Sequence, residues 1–520
     1  MKKTLLYFTL FFPLFSIAQS NDLYFTKGVE LFNNKDYNGA IDYFTKEIQL
    51  NPNNMQAYNY VGMIKGEQGD YKGAVDIFTK EIITNPNADM AYANRAYAKV
   101  NLNDLKGAIA DCDRAIALNP KNYNAYTNRG NSKNGLGDFN GAIADFNKLL
   151  ELNASDATAY TNRGNSKNDL ADFKGAIEDL NKAIELDPNL PEAYLDRGLS
   201  KSRLLDTYAA IDDFTKAIAL NPKLVAAYFD RGLQRIELNN YSDAMTDLNQ
   251  AITIDPKFSQ AYAQRGALNA KLGNYGQAGG DLSEAIILDP NNAGAYYNRA
   301  EVKLKTDDND GAIKDFTKAI ALNPDYAAAY HDRGVAKSSM GNYVEAIDDF
   351  SRSIKLNPAS ETAYFGRAVA RLQLRQGAGA LDDLNVAISI NPEYGNAHYY
   401  RAVMNLGAGR FSAAIPDLDK AIAGDVNLPI SYLMRGFANS SVKNNTAALD
   451  DLTKAIELNP SNAQAFFERG RVHFNMNNKT AAKADWTKSA ALGNRDAVIM
   501  LKTPPTKNKP SQSGWVVWKK

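Results

Sequence analysis

Residues 123–156 read YNAYTNRGNSKNGLGDFNGAIADFNKLLELNASD, and residues 157–190 read ATAYTNRGNSKNDLADFKGAIEDLNKAIELDPNL. The second stretch is the first one displaced by 34 residues. A fixed period of this size is the mark of a repeat architecture, so it governs every later reading. Outward from this pair, the motif Ala-Tyr-x-x-Arg-Gly of 125–130 returns at 159–164, 193–198, 227–232 and 261–266. Its last residue is glycine or alanine from Gly28, Gly62, Ala96 and Gly130 through to Gly470, thirteen steps of 34 with no insertion or deletion. Fourteen repeats therefore occupy 21–496.

Each repeat is numbered from 1, with the small residue at position 8. Position 4 is tyrosine, broken only by His398 and Phe466. Position 20 is alanine in every repeat, from Ala40 to Ala482. Position 24 is large and apolar (Phe44, Phe146, Leu180, Trp486), with Cys112 the small exception. Position 28 is mostly isoleucine, and position 32 is usually proline, as in Pro52, Pro188 and Pro460. The spacings 4, 8, 11 and 20, 24, 27, 28 each mark one face of a helix. A bend rich in Gly, Asn and Asp near positions 13–16 divides helix A from helix B, and the proline stops helix B. Small side chains at 8 and 20 let the two axes approach closely.

This spacing, with a small residue at 8, alanine at 20 and proline at 32, resembles the tetratricopeptide repeat, and the resemblance covers about nine-tenths of the chain. It implies an all-α solenoid, a right-handed superhelix with helix A of each repeat lining a concave inner surface. No repeat buries its apolar face alone, so stacking supplies the core.

Two positions depart from the family pattern together. Position 7 is arginine and position 23 aspartate in repeats 3 to 14, as in Arg129 with Asp145, Arg163 with Asp179, and Arg197 with Asp213. Repeats 1 and 2 have Lys27 with Tyr43 and Val61 with Ile77. In an antiparallel hairpin positions 7 and 23 lie level, so the pairs predict a structural Arg–Asp ladder, within a repeat or to its neighbour, that lysine at position 11 can join. The other reading is a charged track for a ligand, which balanced pairs leave little free charge to serve.

The resemblance puts positions 2, 5, 6, 9, 12 and 13 of helix A on the concave wall. There the sequence offers Asn94, Asn128, Asn162 and Asn298 at position 6, with aspartates or glutamine between, and Asn131 and Asn165 at position 9. A row of amides can bind an extended peptide backbone independently of its sequence, and this row is similar to the asparagine ladder in the repeat domain of protein O-GlcNAc transferases. The competing reading is a solvated helix face. Repeats 11 to 14 turn apolar at the same wall, with Phe365, Tyr399, Phe437, Phe467 and Phe474, a patch of the kind that marks an interface. A capping helix is predicted to about residue 502, and the tail 503–520 ends in Trp515-Val516-Val517-Trp518, a segment that either docks or stays flexible. Position 5 carries no lysine in any repeat, so the carboxylate clamp of the family's chaperone-binding members has no counterpart.

Lys plus Arg and Asp plus Glu both number 59, so there is no general pull toward nucleic acid or anionic lipid. The first residues, MKKTLLYFTLFFPLFSIAQS, show a positive start, a short apolar core and a small-residue cleavage site; 1–18 read as a signal peptide, and no later stretch reaches the roughly 18 apolar residues of a membrane span. The expectation is an exported bacterial protein, periplasmic or associated with the outer membrane. The lone cysteine and three scattered histidines offer no metal-ligand spacing, and no nucleophile elbow or phosphate loop occurs, so neither cofactor nor catalysis is expected. The function expected is a non-catalytic scaffold of the cell envelope binding proteins or peptides; the alternative is an accessory or regulatory subunit of an exported enzyme or a secretion machine.

Overall fold

The structure is a computed structural model, and it describes residues 23–503. The signal-peptide reading and nearly all of the tail lie outside the described residues. Within them the chain forms twenty-nine α-helices and no strand. It divides into an N-terminal body ending at Pro256 and a C-terminal body starting at Lys257. Each body holds seven antiparallel helix pairs, and each is an all-α solenoid by itself.

Repeat 4 shows why the pairs form. Helix A runs Tyr123–Gly135 and helix B runs Phe139–Leu152. Asn122 caps helix A by accepting the Ala125 amide hydrogen, and Asp138 caps helix B by accepting that of Gly141. Between them Gly137 takes φ 82°, in the left-handed region that glycine enters without cost. Every repeat bends through positive φ at position 15, including Leu205 at 64°, where a branched side chain is strained.

The small positions have a steric cause. The fourteen alanines at position 20 are at most 1% exposed. A Cβ added at Gly164 would lie 2.9 Å from Leu180 Cγ and 3.3 Å from the Ala176 carbonyl oxygen, so position 8 of that repeat is crowded by helix B. Position 24 fills the space between: Phe146, Leu180 and Phe214 are fully buried. Burying each such side chain contributes on the order of 1.5–3 kcal/mol, repeated along the stack. Cys112 occupies the same place, and burial pushes its thiol up to about 12, which leaves it an apolar filler. Within each body successive helices pack on one another, and helices A of adjacent repeats also touch, as repeat 3 against repeat 4 and repeat 5 against repeat 6.

The last helix, Arg495–Lys502, packs against helix B of repeat 14 (Lys479–Ala491). Ala497, Met500 and Leu501 cover Phe467 and Trp486, closing the final apolar face.

Candidate functional site

Two sets of polar residues compete for the role of a site, and the geometry separates them. The first is the Arg–Asp set. Arg163 donates from Nε to Asp179 Oδ2 at 2.8 Å and from Nη2 to Oδ1 at 2.6 Å. The same fork joins Arg129 to Asp145 (2.9 and 2.5 Å) and Arg197 to Asp213 (2.9 and 2.6 Å), and it recurs to Arg469 with Asp485. The remaining nitrogen, Nη1, reaches helix B of the preceding repeat: Arg95 to Thr79, Arg129 to Asp113, Arg163 to Asn147, Arg197 to Asn181. One guanidinium thus fastens its own hairpin and the one before it. It also lies over the position-4 ring, 5.3 Å from the Tyr160 centroid in repeat 5.

Position 11 completes the set. Lys133 Nζ is 2.8 Å from Asp145 and Lys167 Nζ 2.8 Å from Asp179. In repeat 9, burial works against the Asp315 carboxylate, but hydrogen bonds from Arg299 and Lys303 outweigh it and hold the group below the usual carboxylate range. Repeat 12 solves the same problem differently: Asn405 stands at position 11, and His398, in the tyrosine's place, brings Nδ1 within 2.8 Å of Asp417. All the position-23 carboxylates but the partly buried Asp281 are buried, and each is engaged by its arginine, so this set is taken up in bonds within the chain and leaves little open charge for a ligand.

The second set is the face of helix A. In repeats 4 and 5, the Asn131, Asn162 and Asn165 side chains are half-buried and form no hydrogen bond among the described residues; Asn298 in repeat 9 is placed likewise. Asn94 donates to Asn59 Oδ1 at 2.8 Å. Asn128 requires a correction: it is 5% exposed and donates to the Ala93 carbonyl at 3.0 Å, so it ties repeat 4 to repeat 3 and is not open to a partner. The cause is close contact between adjacent helices A, which buries position 6 in that repeat.

The apolar wall also needs correcting. Phe467 is 1% exposed, because the final helix lies over it. The others are half-buried. Phe365 meets Tyr394 and Tyr400 edge-on, both at 5.4 Å. Tyr399 accepts from Asn427 at 3.4 Å. Phe437 stands edge-on to Phe411 at 5.6 Å, and Phe474 lies 5.6 Å from Trp486. These rings pack against Tyr394, Tyr400, Phe411 and Trp486, so the wall is a less open patch than the sequence alone indicates.

A cluster that the sequence reading left out of its binding set lies in repeats 9 and 10. Tyr297 donates to Asp332 Oδ2 at 2.6 Å, and His331 Nδ1 lies 2.8 Å from Asp332 Oδ1. Tyr297 stacks on Tyr326 with centroids 4.9 Å apart. Burial, then Asp332, pushes the Glu301 carboxyl up. Positions 5 and 9 of one repeat and 5 and 6 of the next carry it, a signal legible only when adjacent repeats are compared position by position.

Among the described residues, no group of three or more His, Cys, Asp or Glu is placed to hold a metal ion, and no helix is long and apolar enough to cross a membrane.

No curated protein matches the chain. Solved structures similar to it include the Cut9–Hcn1 hetero-tetramer of the APC/C (17% identity, 93% of this chain and 96% of that one covered, TM-score 0.41). Yeast Tom70 is another (20% identity, 76% and 96% covered, TM-score 0.35), as is a tetratricopeptide repeat protein from Parabacteroides merdae (23% identity, 48% and 98% covered, TM-score 0.39). Family profiles described as tetratricopeptide repeat match residues 22–54, 91–122, 123–156, 293–326, 327–360 and 443–496, and one described as TPR repeat matches 164–204 and 232–273. With these matches together spanning more than half of the sequence, the chain belongs to the tetratricopeptide repeat family.

Proposed function

We propose that the chain is a non-catalytic scaffold that holds partner proteins or peptides along the helix-A face of its repeats, in the cell envelope of a bacterium. One observation carries the reading. Asn131, Asn162 and Asn165 present half-buried amides that the chain itself leaves without partners. These amides keep contact with water and are not committed within the chain, and an extended peptide backbone supplies both the donor and the acceptor that an amide takes. The Arg–Asp set cannot serve, since its groups are already satisfied. The acidic and aromatic side chains of Tyr297, Glu301 and Asp332 favour a partner segment rich in basic or amide residues. Export rests on the composition of residues 1–18.

The test is crosslinking and recovery from the native envelope, with the triple variant Asn131→Ala, Asn162→Ala, Asn165→Ala beside the unaltered chain. Losing three amide contacts at about 0.5–1.5 kcal/mol each weakens binding by roughly tenfold or more. The variant keeps its helical circular dichroism and loses the partner. An unchanged partner set on a folded variant overturns the reading.

A further inference from the structure

Glu47 and Glu81 stand at position 27, near the end of helix B in repeats 1 and 2; repeats 3 to 14 carry alanine, leucine or serine there. Both are deeply buried, 2% and 1% exposed. The donors that reach them differ. Glu47 Oε1 accepts from Asn54 Nδ2 at 2.9 Å and from Asn51 at 3.4 Å. Asn54 is also the N-cap of helix A of repeat 2 (Met55–Glu67), so one side chain satisfies a helix end and a carboxyl. One repeat on, the place of Asn54 is taken by Ala88, and helix A of repeat 3 (Asp89–Asn101) begins with no side-chain cap. Asn85, the counterpart of Asn51, has its Nδ2 3.9 Å from Met55 Sδ. Glu81 Oε2 is buried with no hydrogen-bond partner among the described residues.

We propose that Glu81 makes the junction of repeats 2 and 3 a proton-gated hinge, closed while the side chain is a neutral carboxylic acid and loosened when it becomes a carboxylate with no donor to receive it.

The ionisable groups on the neighbouring helices are committed elsewhere. On helix A of repeat 2, Lys65 is paired with Asp70 at 2.7 Å and Glu67 is exposed. On helix A of repeat 3, Arg95 and Lys99 are bound to Asp111, and Asp89 accepts from Asn119 and Asn122. Asp76 and Lys80, on the helix of Glu81 itself (Tyr71–Thr84), are exposed, and the other titratable side chains on the two helices A are Tyr58, Tyr60, Tyr92 and Tyr97. Burial alone acts on the Glu81 carboxyl and pushes it from 4.5 up to about 8. That displacement fixes the sign of the linkage. Between those two values the closed junction holds a proton that the open one has released. Stability is therefore full below the lower value and is lost as pH rises toward the upper one, with no further change beyond it.

Amide hydrogen exchange on the full chain, corrected for intrinsic rates and read at about pH 6 and about pH 9, tests this, with an expected rise of roughly 100-fold in opening of Asp89–Asn101 and Tyr71–Thr84. Helices Tyr123–Gly135 and Phe139–Leu152 serve as the internal reference and stay flat. Glu81→Gln removes the titration, so its protection is the same at both pH values. Ala88→Asn restores the donor that Glu47 enjoys and also flattens the response. A pH-independent junction in the unaltered chain, or a drop that persists in Glu81→Gln, overturns the hinge. A drop that persists in Ala88→Asn overturns the missing donor as its cause.

Discussion

Repeats 1 and 2 and repeats 3 to 7 share one backbone and fasten it differently. In repeat 1, Phe44 stacks on Tyr60 of repeat 2 with centroids 4.7 Å apart, and Phe25 and Phe32 close around the same ring. Positions 7 and 23 hold Lys27 with Tyr43, then Val61 with Ile77. From repeat 3 onward the same two positions hold a forked Arg–Asp pair. Yet the alanines at position 20 and the large residues at position 24 are buried alike in both regions. Close approach of the helices is therefore set by the small residues, while positions 7 and 23 are an exchangeable filling. What the ion pair adds is reach: the guanidinium also bonds the preceding helix B, which the Val61 side chain cannot do. What it costs is desolvation, so a buried pair and an apolar pair of similar volume come out near even.

The largest expected effect comes from breaking one pair by half. Asp213→Ala leaves Arg197 and Lys201, both bound to Asp213 in the structure, without their carboxylate. The local stability of repeat 6 should fall by about 3–5 kcal/mol, read as lost amide protection in Thr207–Leu220. Protection equal to that of the unaltered chain would mean the pair is effectively solvated.

A smaller effect sharpens the shared part of the comparison. Asp36 and Asp138 cap helix B in repeats 1 and 4 in the same way, each accepting the amide hydrogen of the glycine three residues on. Asp36→Ala and Asp138→Ala should each cost about 1 kcal/mol of local stability, equally in the two regions. A clear inequality would show that the regions differ in backbone as well as in filling.

The fold was legible because its determinants are local and repeated. A buried alanine at 20 and a left-handed bend at 15 recur often enough for phase alone to assign faces. The ladder was half legible. The covariation of positions 7 and 23 predicts a pair, but the third bond runs between repeats to a residue type that changes, Thr79, Asp113 or Asn147, and so leaves no constant partner to notice. The helix-A face was the least legible part. Asn128 and Asn162 share position 6, and one is buried in a repeat contact while the other is not, a difference set by the neighbouring helix. Phe467 was lost to the terminal helix for the same kind of reason, since a side chain at a stack end is open or covered according to how the chain continues beyond the last repeat.

The central claim is that the charged ladder is internal fastening and not a ligand track. Transplanting the filling of repeat 2 into repeat 6, as Arg197→Val with Asp213→Ile, tests it most directly. The account predicts a double variant within about 1 kcal/mol of the unaltered chain in amide protection of repeat 6, with any partner recovered by crosslinking retained, even though Asp213→Ala alone is severely destabilised. A double variant as unstable as the single one, or one that stays folded and loses its partner, would contradict it.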